Sequence, residues 1–436
     1  MNDSAEKTVR HGGALGMPGH PLRAVVLGEV HSRPFQLTPT PRVILQLSFL
    51  GEGSDADREV LAEHCRARGL SPPDSRARRQ SLDWGNGRLR WERHSEFSDW
   101  TWDAPAPPSF ADPVTGHPFG EGFTAPGPLI AAVRLDLRPG NDSADEILSA
   151  FDPASLCYSH MDGGLAGAAT DFCQDGDGMT RILILDHGLG EARAGALAQR
   201  LLEIETYRTL ALLGLPEAQR LGPDIRRIEE EMTAITAQMR DQDGYDGEHL
   251  LAELTALAAD LEAGAAASLY RFGASRAYDE IVAQRINIIG ERPITGYETW
   301  SGFLKRRLGP AMHTCRAVEQ RQADLSGKLA RTANLLRTRI DVELERQNRD
   351  LLKSMNRRAH LQLRLQQTVE GLSIAAVSYY VIGLINYLAK GLAKAGLPVD
   401  PAIATAFAVL PVVLVIWWIV RRIRRAHAGR AIDKAK

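Results

Sequence analysis

The sequence predicts an α+β protein built from an N-terminal mixed α/β cytoplasmic domain, a long helical stalk region and a C-terminal two-helix transmembrane hairpin. Three observations predict it. Strand-like runs crowd the region before Gly190 and cease after it. Helical periodicity then continues with no proline between Pro310 and the first long apolar run. Two stretches near the C-terminus, 371–389 and 402–420, each hold nineteen residues without a charge.

The first nineteen residues, "MNDSAEKTVRHGGALGMPG", lack an apolar core of signal-peptide length and read as a flexible tail. Residues 20–189 form the predicted α/β domain. Its strand candidates are 42–50, 87–97, 129–137 and 179–187, runs of β-branched or alternating apolar residues bounded by Gly, Pro and Asp. Helical patterns are expected at 56–69 and 143–151. Seven prolines and four glycines between Ala104 and Pro128 predict a long irregular excursion.

Residues 190–368 read as the helical stalk domain. Helices are expected from 191 to a stop at Gly214 and Pro216, then at 224–241, 247–270 and 274–290, with a last one from about Pro310. Continued to Lys390, that last helix would be about 120 Å long. Within it, Leu325 and Leu336 are eleven residues apart, as are Leu329, Ile340 and Leu351, and Ala333, Leu344 and Met355. Eleven residues are close to three turns, so these side chains hold one face with little drift. Arg331, Arg337, Arg339, Glu343, Glu345 and Arg349 fall elsewhere. The stripe fits either an intramolecular helical hairpin or a self-associating, coiled-coil-like stalk.

Residues 369–421 hold the two apolar runs, each nearly long enough at about 1.5 Å per residue for a hydrocarbon core of roughly 30 Å. Lys353, Arg357, Arg358 and Arg364 precede the first, and Arg421, Arg422, Arg424, Arg425, Arg430, Lys434 and Lys436 follow the second. The connecting loop carries only Lys390, Lys394 and Asp400. The positive-inside rule then places both termini in the cytoplasm, with 422–436 a basic cytoplasmic tail. Along the first run Tyr379, Tyr380, Gly383, Asn386 and Tyr387 form a polar face, and Lys390 extends it. Polar groups in lipid must meet protein or water. Asn386 is open to three readings: a helix–helix hydrogen bond, an interfacial position without special role, or a pore lining.

Composition narrows the function classes. A net charge of −2 with 24 % charged residues names no partner, and nucleic acid is not expected. Cys65, Cys157, Cys173 and Cys315 lie far apart without a CxxC pair, against a disulfide framework or thiolate zinc site. No G-x-S-x-G, HExxH or Walker A sequence occurs, so no cofactor, metal or catalytic residue is expected. "DFCQDGDGMT" offers Asp171, Asp175 and Asp177 but no EF-hand pattern, and reads as a hairpin turn. Gly188 and Gly190 sit where a strand should enter a helix, yet the spacing departs from a dinucleotide-binding turn and Glu191 would repel a phosphate.

Two stretches form a candidate polar cluster. "GEVHSRPF" (28–35) reads as the end of a short helix in which Glu29 and Arg33 pair four residues apart and Pro34 stops the turn, with His31 pointing elsewhere. "RLRWERHSEF", as one strand, would place Arg88, Arg90, Glu92, His94 and Glu96 on one face and Leu89, Trp91 and Phe97 on the other. That polar face suits a solvated cross-strand ladder or part of a metal or anion site. A site built from both stretches requires His31 and His94 to converge.

Five blocks in order, "HPLRAVVLGEVHSRPF", "RLRWERHSEFSDWTW", "LLEIETYRTLALLGLP", "YRFGASRAYDEIVAQRI" and "VEGLSIAAVSYYVIGLINYLAKG", resemble a bacterial family of membrane-anchored proteins of unknown function (domain of unknown function 3422). The resemblance covers residues 20–420 and implies anchoring in the bacterial inner membrane, with no activity to transfer. The architecture is also similar to CorA-type divalent-cation channels, but their Gly-Met-Asn signature is replaced here by "GLINYLAKG". The leading expectation is a non-enzymatic, membrane-anchored protein in contact with lipid that forms a homo-oligomer or binds partners through its stalk. A CorA-like channel or transporter is the alternative. A membrane-tethered hydrolase using Glu29, His31 and His94 is the third.

Overall fold

The structure is a computed structural model that describes residues 17, 19–20, 22–23, 26–27, 35–51, 55–74, 77–120, 122–140, 147–240, 246–394 and 400–433, with side chains of the last helix to 422. The chain is 61 % helical and carries a mixed sheet in its N-terminal part. It divides into two compact units, Met1–Ala333 and Asn334–Lys436.

The first unit is built on nine strands: β1 (Arg42–Leu50), β2 (Arg79–Trp84), β3 (Gly87–Arg93), β4 (Phe97–Pro105), β5 (Leu129–Pro139), β6 (Cys157–Met161), β7 (Ala166–Thr170), β8 (Thr180–Asp186) and β9 (Arg292–Pro293). Their order is β2-β3-β4-β1-β5-β8-β7-β6-β9, antiparallel except for β5 beside β8. Helix α1 (Ala56–Ala67) packs on one face, its Leu61 joining Leu89, Trp91, Trp100 and Trp102 of the sheet, all nearly inaccessible. On the opposite face Val133, Leu135, Leu137, Ile182 and Ile184 join Leu197, Leu201 and Ile204 of helix α2 (Glu191–Leu212).

The expected strand over 87–97 is two strands. His94 N–H donates to the Phe97 carbonyl at 2.8 Å, closing a tight turn at Ser95–Glu96. Phe97 therefore opens β4 and stacks on the His94 ring at 4.2 Å, rather than sharing a face with Leu89 and Trp91. Of the helix expected at 143–151, residues 147 and 148 are helical and 141–146 lie outside the described residues. The proline-rich excursion is irregular as expected, and buried guanidiniums hold it to the sheet. Arg138 donates to the Pro107 and Pro108 carbonyls at 2.9 and 3.2 Å, and Arg134 and Arg181 converge on the Phe110 carbonyl at 2.9 and 2.5 Å.

Helix α3 (Gly214–Arg240) starts one residue beyond the C-cap of α2, so the stop at Gly214 is a single-residue joint, and Pro216 sits in the tolerant first turn. A Cβ at Gly214 would lie 2.6 Å from Ser275 Oγ and 3.1 Å from Cys315 Sγ, so glycine lets three helices approach there. The two helices expected at 247–270 and 274–290 are one, α4 (Gly247–Ile288), uninterrupted at Gly273. Helix α5 (Trp300–Lys394) begins ten residues before Pro310, because the Glu291 carboxylate accepts from the backbone N–H of Trp300 at 2.6 Å and of Ser301 at 3.1 Å.

The second unit holds the rest of α5 and helix α6 (Pro401–Asp433). Both helices contain stretches long and apolar enough to cross a membrane. The expected loop between them falls largely on 395–399, outside the described residues.

Candidate functional site

Alternation along four strands makes the site. On β2, β3, β4 and β1 one set of side chains enters the tryptophan core, and the other set points beneath α2, where it is polar. The strand register stacks these polar residues in cross-strand rows. Arg79, Glu92, Asp99 and Ser48 form one row, and Ser81, Arg90, Thr101 and Gln46 the next. Further along β5 and β8 the same sheet face turns apolar. The polar rows thus floor a cleft of 410 Å³ under α2, walled by Ala198, Leu202 and Thr206.

The rim is set by a close approach. A Cβ on Gly195 would fall 1.7 Å from the Gln36 carbonyl, so only glycine lets residues 35–38 lie against α2, where Thr38 N–H donates to the Glu191 carbonyl at 3.0 Å. Gln36 and Thr38 line the cleft.

The first row is closely paired. Arg79 bridges Glu92 at 2.7 Å, His94 Nε2 lies 3.1 Å from Asp99 Oδ2, and Ser48 donates to Asp99 Oδ1 at 2.5 Å. Thr101 donates to Gln46 Oε1 at 3.2 Å, and the Gln46 amide donates to Thr206 at 2.9 Å. Such a satisfied network is rigid in a low-dielectric setting. Its order argues against a serine hydrolase, because Asp99 stands between Ser48 and His94 and receives the serine proton directly. Among the described residues no group of three or more His, Cys, Asp or Glu could hold a metal.

Arg90 is the exception in this floor. Its charge partner is Asp103, at 3.2 Å, and Asp103 already accepts two hydrogen bonds from Arg42 at 3.0 and 2.6 Å. Burial lowers the Arg90 pKa, Asp103 counteracts this, and Arg88 and Arg42 add to the depression.

Of the expected polar cluster, Glu29, His31 and Arg33 lie outside the described residues. Arg88, Arg90 and Glu92 share one strand face, and His94 joins it through Asp99. Glu96 does not. It is carried by the turn to α4, where Arg271 at 2.6 Å, Tyr270 at 3.0 Å and Tyr278 at 3.2 Å donate to its carboxylate. Sequence reasoning missed Gln46, Ser48, Arg79, Ser81, Asp99, Thr101 and Thr206. The alternation of "RQSLDW" and "FSDWTWDAP" carried Arg79, Ser81, Asp99 and Thr101.

The motif after β8 is occupied from within. Asp186 Oδ1 accepts from the N–H groups of Gly188 and Leu189 at 2.8 and 2.7 Å, where a phosphate would bind, and Oδ2 accepts from Thr40 at 2.6 Å. Asp175 closes the β7–β8 turn, its carboxylate accepting from the N–H groups of Asp177 and Met179.

In the second unit, Ser378 and Ala389 are the buried residues of the first apolar run. Tyr379, Tyr380 and Tyr387 are exposed, while Gly383 and Asn386 are half-buried. Thr405 Oγ1 lies 3.4 Å from Asn386 Oδ1, a contact between the two helices. Along α5, Leu325, Leu329 and Leu336 are buried, whereas Leu344, Leu351 and Met355 are more than half accessible or nearly so, at 50, 59 and 58 %.

No curated protein matches the chain. A family model, described as "Protein of unknown function (DUF3422)", matches residues 18–427, and with nearly the whole length covered the chain belongs to that family.

Proposed function

We propose that the protein is anchored in the bacterial inner membrane by the two apolar helices, with both termini cytoplasmic, and self-associates through α5 with a second copy of itself. The observation that carries this reading is one stripe on one helix. At about 100° per residue, Ile340, Leu344, Leu351, Met355, Leu361, Leu365, Val369, Tyr379 and Tyr387 fall within an arc of about 120°. All of these are exposed except Ile340, which is half-buried. The stripe runs for about 70 Å. Glu343, Gln347, Ser354, Arg358 and Gln362 interrupt it, and polar interruptions within an apolar stripe fix register between helices.

Exposed apolar surface ahead of the membrane run calls for a cover. Two copies anchored in one bilayer with the same topology present this stripe in parallel and at the same height, so a second copy meets the geometric requirement without further parts. The near-eleven-residue spacing suits straight parallel packing. A non-enzymatic role agrees with the Ser48–Asp99–His94 order and with the self-occupied turn at Asp186.

The test is the mass of the full-length protein in detergent by light scattering. A discrete oligomer is expected, and Leu344→Gln, Leu351→Gln and Met355→Gln combined should lower its mass toward the monomer. An unchanged mass, or a monomeric wild type, would sink the reading. Divalent-ion flux through liposomes carrying the oligomer would instead make the tyrosine face a pore lining.

A further inference from the structure

Chemistry beyond anchoring concentrates in the cleft under α2. Its two polar rows differ in one respect. In the row Arg79–Glu92–Asp99–Ser48 both carboxylates are already engaged, Glu92 by Arg79 and Asp99 by Ser48 and His94. In the row Ser81–Arg90–Thr101–Gln46 there is no carboxylate at all, and the register sets two hydroxyls directly beside one guanidinium. Directly opposed side chains on one face have Cβ atoms about 4.5–5.5 Å apart, so Ser81, Arg90 and Thr101 reach a common point.

Donors in this second row outnumber acceptors. Thr101 and Gln46 are committed to each other and to Thr206. Among the described residues Ser81 has no side-chain partner, and Arg90 has Asp103, whose single charge is shared with Arg42. A guanidinium carries five N–H donors in a fixed fork suited to carboxylate or phosphate oxygens. The cleft's 410 Å³ falls in the range of small-molecule sites, about 300–1,000 Å³.

We infer that the cleft binds a small molecule through an oxyanion group, carboxylate or phosphoryl, held by the Arg90 guanidinium with the Ser81 hydroxyl as second donor. The neighbouring row, already paired, supplies a rigid wall and not the anion contact. The depressed pKa of Arg90, caused by burial beside Arg88 and Arg42, fits a site that gains from an added negative charge. This inference goes beyond anchoring and self-association and stands without them, since every residue it uses lies in the first unit.

The experiment is thermal unfolding of the full-length protein in detergent, titrated separately with inorganic phosphate and with succinate against sodium chloride at matched ionic strength. A saturable rise in melting temperature with either probe is expected, and the effective probe names the oxyanion class. Arg90→Gln should weaken the apparent affinity by about tenfold or more, the loss of a charge-assisted hydrogen bond. Arg220→Gln, on the exposed Arg220–Glu217 pair of α3, should leave it unchanged. Because Arg90→Gln alters a half-buried position, Ser81→Glu, at an exposed one, decides independently. Its carboxylate beside Arg90 should raise the melting temperature without any probe and abolish the probe-induced rise. No saturable rise with either probe, or a Ser81→Glu protein that responds like wild type, overturns the site.

Discussion

Glu96 offers the sharpest perturbation of the fold, since three donors from α4 converge on a carboxylate that the β3–β4 turn carries into the protein. Glu96→Gln keeps the volume and leaves an amide oxygen to accept from Tyr270 and Tyr278, so the loss is the charge facing Arg271. A hydrogen bond between charged groups contributes about 1.5–3 kcal/mol. The Arg271 side chain is 24 % exposed, which screens the pair and reduces the expectation to about 1–2 kcal/mol. Glu96→Ala also strands the buried Tyr278 hydroxyl and should cost about 3–5 kcal/mol, the range for breaking a buried ion pair. Burial and the adjacent carboxylate both raise the Tyr278 pKa, so the phenol remains a donor at neutral pH. The assay is urea unfolding of the full-length protein in detergent, read by the fluorescence of Trp84, Trp91, Trp100 and Trp102 in the sheet core. A cycle of Glu96→Gln and Arg271→Gln should return a coupling of about 1 kcal/mol or more. Additive single-mutant effects would refute the claim that the turn leans on α4.

Three further outcomes follow from particular contacts. Burial, with Arg68 adding to it, lowers the His64 pKa from 6.5, and burial lowers that of His117. The unfolded chain then binds more protons below pH 6.5, so stability is full above that pH and falls as pH drops toward the folded values; the melting temperature should decline between pH 7.5 and 5.5, less steeply in His64→Phe. Gly195→Ala drives a Cβ into the Gln36 carbonyl and should cost about 1–3 kcal/mol in unfolding experiments despite the better helix propensity of alanine. Arg138→Met releases the Pro107 and Pro108 carbonyls, and limited proteolysis should then cut within 104–128 faster than in wild type.

How much of this was legible depended on where the deciding contacts lie along the chain. β1, β5 and β8 could be read because Val43, Ile44, Val133, Ile182 and Ile184 favour the pleated sheet. β6 and β7 could not, since "CYSHM" and "AGAAT" offer small or polar side chains and are buried only by what covers them. The start of α5 was hidden because its cap, Glu291, acts from nine residues upstream. In the site, the Arg88–Arg90–Glu92 face followed from period-two alternation. Glu96 was misassigned because a tight turn reverses the chain at Ser95, and nothing local marks Thr206 as the partner of Gln46, 160 residues away. The helical stripe was legible from Leu325 to Met355, but only the structure separates its covered part, ending at Leu336, from its exposed part.

The central claim, parallel self-association along α5, is tested most directly by disulfide cross-linking in native membranes. Cys65, Cys157 and Cys315 are buried and Cys173 is exposed, so Cys173→Ser provides the background. Leu351 and Leu352 are similarly exposed, at 59 and 65 %, but point about 100° apart, and a disulfide needs Cα atoms within about 7 Å. Leu351→Cys is predicted to form a covalent dimer on mild oxidation and Leu352→Cys to remain monomeric. Equal cross-linking at both positions, or none at Leu351→Cys, would contradict the account.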